Sequence, residues 1–162
     1  MDTNASRINS SRRSLLRGFL LAAGVLGLGH VAAEDELRFP GDEPTHKIVY
    51  QFNQADPGYQ DHVIFSVGAV LRKYGDDVKI VVVAIGEGIH LLGKNPGRPV
   101  KEELRERAAS LAQYGVEFHA CGNTMNSLGW GEDDLLPFAT VVEVGAADLM
   151  ELQEQGYAYI SW

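Results

Sequence analysis

The run Val78-Lys79-Ile80-Val81-Val82-Val83-Ala84-Ile85 decides the fold. One lysine interrupts it; the rest is apolar and mostly β-branched, with no polar residue at alternate positions. A strand with one face in water alternates apolar and polar side chains, so this one is expected to be covered on both faces, as at the centre of a parallel sheet. Gly86 ends it. Upstream, Val63, Ile64, Val67, Val70, Leu71 and Tyr74 recur at helical spacing with Gly75 as a stop. Before that helix come a turn around Asp56-Pro57-Gly58 and a strand over Lys47–Phe52. Downstream, Pro99 opens a second helix with Glu102 and Glu103 near its positive end. Its apolar stripe is Val100, Leu104, Ala108 and Leu111, and Gly115 closes it. Val116–Ala120 is a third strand, Thr140–Val144 a fourth, Ala146–Gln155 a last helix followed by Gly156, and Tyr157–Ile160 a fifth strand.

Strands alternating with helices imply right-handed crossovers. The expected fold is a single α/β domain over residues 47–162, with a mostly parallel five-stranded sheet and helices on both faces. The short terminal run leaves the direction of the fifth strand open.

The first 33 residues carry a different pattern. Ser11-Arg12-Arg13-Ser14-Leu15-Leu16-Arg17 precedes an apolar stretch from Gly18 to Gly29, which ends in Val31-Ala32-Ala33. This is the order of a twin-arginine export signal with a small-residue cleavage site. The apolar stretch is shorter than the roughly 20 residues a membrane-spanning helix needs, so cleavage rather than anchoring is expected. Residues 34–46 are charged and contain Pro40, Gly41 and Pro44, which suits a linker. The expected location is the periplasm, with no stable membrane insertion after cleavage.

Removing residues 1–33 takes away four arginines and one aspartate, so the formal net charge of −8 becomes −11. An acidic chain of about 130 residues suits one domain and is a poor partner for nucleic acid or anionic membranes. The single cysteine, Cys121, cannot form an internal disulfide, so packing alone must hold the core.

Parallel sheets bind ligands beyond the carboxyl ends of their strands. The residues there are Asn53, Gln54 and Asp56 after the first strand, Gly86, Glu87, Gly88 and His90 after the second, Cys121 to Met125 after the third, and Gly145 after the fourth. Cys121 precedes Gly122, Asn123 and Thr124, which can start a short helix. Free amides and the dipole of a helix start favour a thiolate. Two readings of Cys121 follow: a reactive thiolate, or a small buried apolar side chain. His90, on a glycine-rich loop, is a candidate to lean over the sulfur, whereas His119 reads as a structural strand residue.

Several chemistries lack their residues. Gly88-Ile89-His90-Leu91-Leu92-Gly93-Lys94-Asn95 approaches a phosphate-binding loop, but Asn95 stands where Ser or Thr would hold magnesium. Gly86-Glu87-Gly88 begins a dinucleotide fingerprint whose third glycine position is Leu91. Cys121, His90 and His62 are conceivable metal ligands, yet no close-spaced ligand pair supports them, and no metal is assigned. No GxSxG elbow occurs.

The segments GEGIHLL at residues 86–92 and GVEFHACGNTM at residues 115–125 resemble the DsrE/DsrF-like proteins of sulfur oxidation, over His46 to the end. The resemblance implies that Cys121 carries sulfur as a persulfide or passes it between partners. It implies a homo-oligomer, often a trimer or hexamer. The expected site is Cys121 as nucleophile with Asn53, Gln54, Glu87, Gly88, His90, Gly122, Asn123 and Thr124 as binding residues. A persulfide needs no metal or organic cofactor. The expected partners are a small sulfur-containing donor or a sulfur-transfer protein. The alternative is a non-catalytic oligomeric module of the same fold that binds a small ligand or a protein.

The signal assignment makes a direct prediction. Replacing Arg12 and Arg13 by lysine should trap a longer precursor in the cytoplasm, while the wild-type protein, measured by mass spectrometry, should start within a few residues of Glu34. Undiminished periplasmic mature protein from the Lys-Lys variant would reject the assignment.

Overall fold

The computed structural model describes residues 43–162. The twin-arginine segment 1–33 and linker residues 34–42 lie outside the described residues. The elements are β1 His46–Phe52, α1 Pro57–Tyr74, β2 Val78–Ala84, α2 Glu102–Gln113, β3 Glu117–Cys121, α3 Gly122–Leu128, β4 Ala139–Val142, α4 Gly145–Glu154 and β5 Ala158–Ile160.

β2 lies at the centre, and the sheet order is β4-β3-β2-β1-β5. Every pairing is parallel, so the fifth strand runs with the others. Ile80, Val82 and Ala84 of β2 point into one core with Val63, Ile64 and Val67 of α1 and Leu104 and Ala108 of α2. Val81 and Val83 point the other way, against Leu149 and Leu152 of α4. The side-chain alternation of a strand thus sends an unbroken apolar run into two separate cores.

Boundaries differ from the sequence reading where backbone groups have other partners. β1 starts at His46, whose ring lies 4.4 Å from that of Tyr74, just after Thr45 donates its N–H to the Asp77 carboxylate at 2.7 Å. α1 starts ahead of its apolar stripe because Asp56 caps it, accepting from the Tyr59 N–H at 2.8 Å, with Pro57 as its first residue. β3 runs one residue further, because Cys121 still pairs with Val142. β4 stops at Val142, since Val144 serves as the amino cap of α4 and accepts from the Asp148 N–H at 3.0 Å. Tyr157 donates its N–H to the Leu152 carbonyl at 3.0 Å and closes α4, so β5 begins at Ala158.

The stretch Gly86–Leu92, expected as a loop, is a 3₁₀ turn whose apolar residues Ile89, Leu91 and Leu92 are buried in the first core. It lies so close to the end of β1 that a Cβ on Gly88 would sit 2.1 Å from the Phe52 carbonyl oxygen. No helix among the described residues is long and apolar enough to cross a membrane.

Because the obstacle at Gly88 is backbone, Gly88→Ala is expected to lower stability by about 1–3 kcal/mol. Thermal unfolding measures this. Gly131→Ala, where a Cβ meets nothing within 4 Å and φ is −101°, should leave the midpoint nearly unchanged. Equal midpoints for the two variants would refute the close approach.

Candidate functional site

Side chains alternate along β3, so Phe118 and Ala120 enter the first core while Glu117, His119 and Cys121 face α4. Cys121 is the last residue of the strand and only 4% exposed. α3 begins at the next residue. The first residue of α4, Gly145, packs directly on Cys121. A Cβ at Gly145 would lie 3.0 Å from the Cys121 Cβ and 2.9 Å from Ile85 Cγ1. Only a glycine lets the helix approach this closely.

Donors from two helices favour the sulfur as an anion. The Gly145 N–H donates to Sγ at 3.3 Å. The Thr124 hydroxyl and the backbone N–H groups of Thr124 and Asn123 are nearby donors that favour its thiolate. Thr124 Oγ1 in turn accepts from the Gly86 N–H at 3.1 Å, which leaves its proton free to point at the sulfur. Two effects oppose each other. Burial is the largest single effect and raises the thiol pKa, but the donor groups together outweigh it, and the pKa lies below its ordinary value. Cys121 is therefore both buried and thiolate-prone, which joins features of the two readings that the sequence left open.

The remaining candidates divide into groups. Gly86, Glu87, His90, Gly97, Arg98, Thr124, Ser127 and Leu128 line a groove of about 410 Å³ beside α3. Glu87 pairs with Arg98 at 2.8 Å. His90 is buried and does not hydrogen-bond to the sulfur: its Nδ1 accepts from the Gly97 N–H at 3.2 Å and its ring meets Trp130 edge-on. Burial first, then the Arg98 guanidinium, hold its pKa below the ordinary value, with Glu87 acting in the opposite direction. The expected role of His90 as a neighbour stabilising the thiolate gives way to a neutral ring packed into the groove wall.

Asn53 and Gln54 lie in the connection between β1 and α1. The Asn53 N–H and Oδ1 both bond the Tyr59 hydroxyl at 3.1 Å, and the Gln54 carbonyl accepts from Gln60 at 3.5 Å. Gly122 packs 3.0 Å, counted from its would-be Cβ, from the carbonyl oxygens of Val142 and Glu143, and the Asn123 N–H reaches the Glu143 carbonyl at 3.3 Å. The conceivable metal ligands have separate partners: His62 stacks edge-on against Trp162 at 4.3 Å, and His90 against Trp130. No cluster of three or more His, Cys, Asp or Glu placed to hold a metal occurs among the described residues.

Sequence reasoning looked to amides at the start of α3 and not to the donor from α4, although Gly145 stood among the residues at the strand ends. It also missed the bond from His119 Nδ1 to Asp148 Oδ2, 2.8 Å long, with both side chains largely buried. The available signal was Asp148 in the first turn of the last predicted helix, opposite a strand histidine.

The sequence matches the model of the DsrE/DsrF-like family over residues 46–162. A solved structure of a protein of unknown function from Methanobacterium thermoautotrophicum is similar, with a TM-score of 0.64 and 29% identity. The match covers 71% of this chain and 97% of that one. Among curated proteins, nothing matches.

The hydrogen bonds at the sulfur predict how its reactivity depends on pH. The rate of alkylation of Cys121 in the folded protein should rise with a midpoint below the roughly 8.5 of a free thiol. Thr124→Val removes a donor to the thiolate, so the midpoint should move up and alkylation at pH 7 should slow by about tenfold. A faster or unchanged rate would show that the hydroxyl does not stabilise the anion.

Proposed function

The chain belongs to the DsrE/DsrF-like family, and from that premise we propose that it is a sulfur carrier in which Cys121 holds sulfane sulfur as a persulfide. The observation that carries the reading is one buried sulfur at the carboxyl end of the sheet that accepts the Gly145 N–H and has the Thr124 hydroxyl and the α3 amides beside it. A thiolate is the nucleophile in sulfur exchange, and these donors hold it ready.

In the proposed step the Cys121 thiolate attacks the outer sulfur of a donor R–S–SH. The new Sγ–S bond forms as the donor's S–S bond breaks, and R–S⁻ leaves and takes up the proton. Sulfane sulfur is transferred with no net oxidation, so the step needs no redox partner. An acceptor thiolate then attacks the outer sulfur and returns Cys121 to its starting state. The amide that bonded the thiolate stays fixed during the exchange and favours Sγ as the leaving thiolate when the acceptor attacks the outer sulfur. In this reading a small donor or the tip of a partner protein docks in the groove beside α3, which Thr124 lines.

Export belongs to the same reading. Its support is the Arg12-Arg13 pair with the apolar run and Val31-Ala32-Ala33, which would deliver the carrier to the periplasm. A homo-oligomer is also part of it. A second reading, a non-catalytic oligomeric binding module of the same fold, is favoured by one observation, the 4% exposure of Cys121.

Incubation of the folded protein with polysulfide should add the mass of whole sulfur atoms, removable by a reductant, and Cys121→Ser should abolish the addition without loss of fold. Serine approximates the size of cysteine but is far less nucleophilic at neutral pH. A wild-type protein inert to sulfane donors would sink the carrier and leave the binding module.

A further inference from the structure

Gly145 and Asp148 are three residues apart on α4 and so share one face of the helix. His119 and Cys121 are two apart on β3 and share one face of the strand. The two pairs meet as two rungs: Gly145 N–H on Cys121 Sγ at 3.3 Å, and Asp148 Oδ2 on His119 Nδ1 at 2.8 Å. The spans match roughly, about 4.5 Å along the helix against about 6.6 Å along the strand.

We propose that the His119–Asp148 hydrogen bond is a positioning device for the Cys121 site, pinning the first turn of α4 to the sheet so that the Gly145 amide stays on the sulfur. The inference rests on the reading of Cys121 as the reactive group. Packing holds that turn through the backbone of Gly145, buried against Cys121 and Ile85, but not through apolar side chains. The apolar anchors of α4, Leu149 and Leu152, come later in the helix, while Ala146 is exposed and Ala147 only half-buried. Gly145 has no side chain to grip with. The His119–Asp148 pair is the side-chain polar contact by which the first turn holds β3, beside the Gly145 amide on the sulfur, and its side chains are only 12% and 14% exposed.

The other groups facing His119 extend the contact without replacing it. Glu117 Oε2 lies 3.4 Å from Nε2, and Glu117 Oε1 pairs with Lys79 of β2 at 3.2 Å. Thr140 of β4 is the register partner on the remaining side. None of these belongs to α4, so Asp148 is the side chain of the first turn that ties the helix to the strand beside the Gly145 amide itself.

The sign of the effect separates positioning from charge. Removing a carboxylate near a thiolate favours the thiolate through space, whereas losing the tether deprives the sulfur of a donor. Asp148→Ala is therefore expected to slow alkylation of Cys121 at pH 7 by about three- to tenfold and to move the pH profile upward. Asp148→Asn, whose amide oxygen still accepts from His119 Nδ1, should restore both. His119→Ala, with its own folding checked by circular dichroism, should repeat the Asp148→Ala result and serves if that variant does not fold. Faster alkylation in both Asp148 variants, or a lowered melting temperature with an unchanged profile, would overturn the proposal. Hydrogen exchange of the Gly145 amide, measured by NMR, should quicken in Asp148→Ala and not in Asp148→Asn. That readout tests the tether even if wild-type Cys121 proves an ordinary thiol, in which case the carrier reading fails and the positioning device is judged separately.

Discussion

Burial of β2 on both faces is the constraint on which the rest of the molecule depends. A strand with apolar side chains on both sides is stable only if each side is covered, and here α1 and α2 cover one and α4 the other. Parallel pairing then follows, because each connection must cross a face of the sheet to return. The same connections gather the carboxyl ends of β1 to β4, together with the turns that follow them, at one edge. Cys121, Thr124, Gly86 and Gly145 come from three different connections and meet there for that reason.

The two faces are not equal. Among the described residues, eighteen buried residues form the core under α1 and α2, but only six form the one under α4. The thinner face carries the cysteine. Fewer apolar contacts leave more of α4's position to specific polar bonds, and the row Lys79, Glu117, His119 and Asp148 crosses that face. A deep apolar core would hold the helix without such a row, but it would also surround the sulfur with groups unable to stabilise a negative charge.

Cys121 shows how burial and reactivity coexist. Desolvation alone makes a buried thiol inert, and it is the largest single influence on this one. Fixed donors reverse the outcome because each is already oriented and has given up its water on folding. His90, expected as a partner, shows the opposite balance: its hydrogen bond comes from the Gly97 amide to Nδ1, and burial disfavours its charge. A ring in that state supports the groove wall and contributes no positive charge to the sulfur.

The sequence alone was enough for the α/β class, the order of elements and the placement of Cys121 next to a helix start, because these depend on local periodicity and on the residues just past each strand. VKIVVVAI has one reading as a strand, and Gly75, Gly86 and Gly115 end their segments by local backbone preference. Element ends were less legible: whether β3 includes Cys121 depends on its partner Val142, a contact no local pattern encodes. Only the tertiary structure decided which groups reach the sulfur. The Gly145 amide comes from 24 residues along the chain, and its approach depends on the register of β3 against β4 and on how closely a helix without a Cβ at its first residue can seat. His119 and Asp148 were visible as residues, but their pairing required α4 to lie across β3 with one helical turn facing two strand residues, which is a matter of geometry between elements and not of sequence within them.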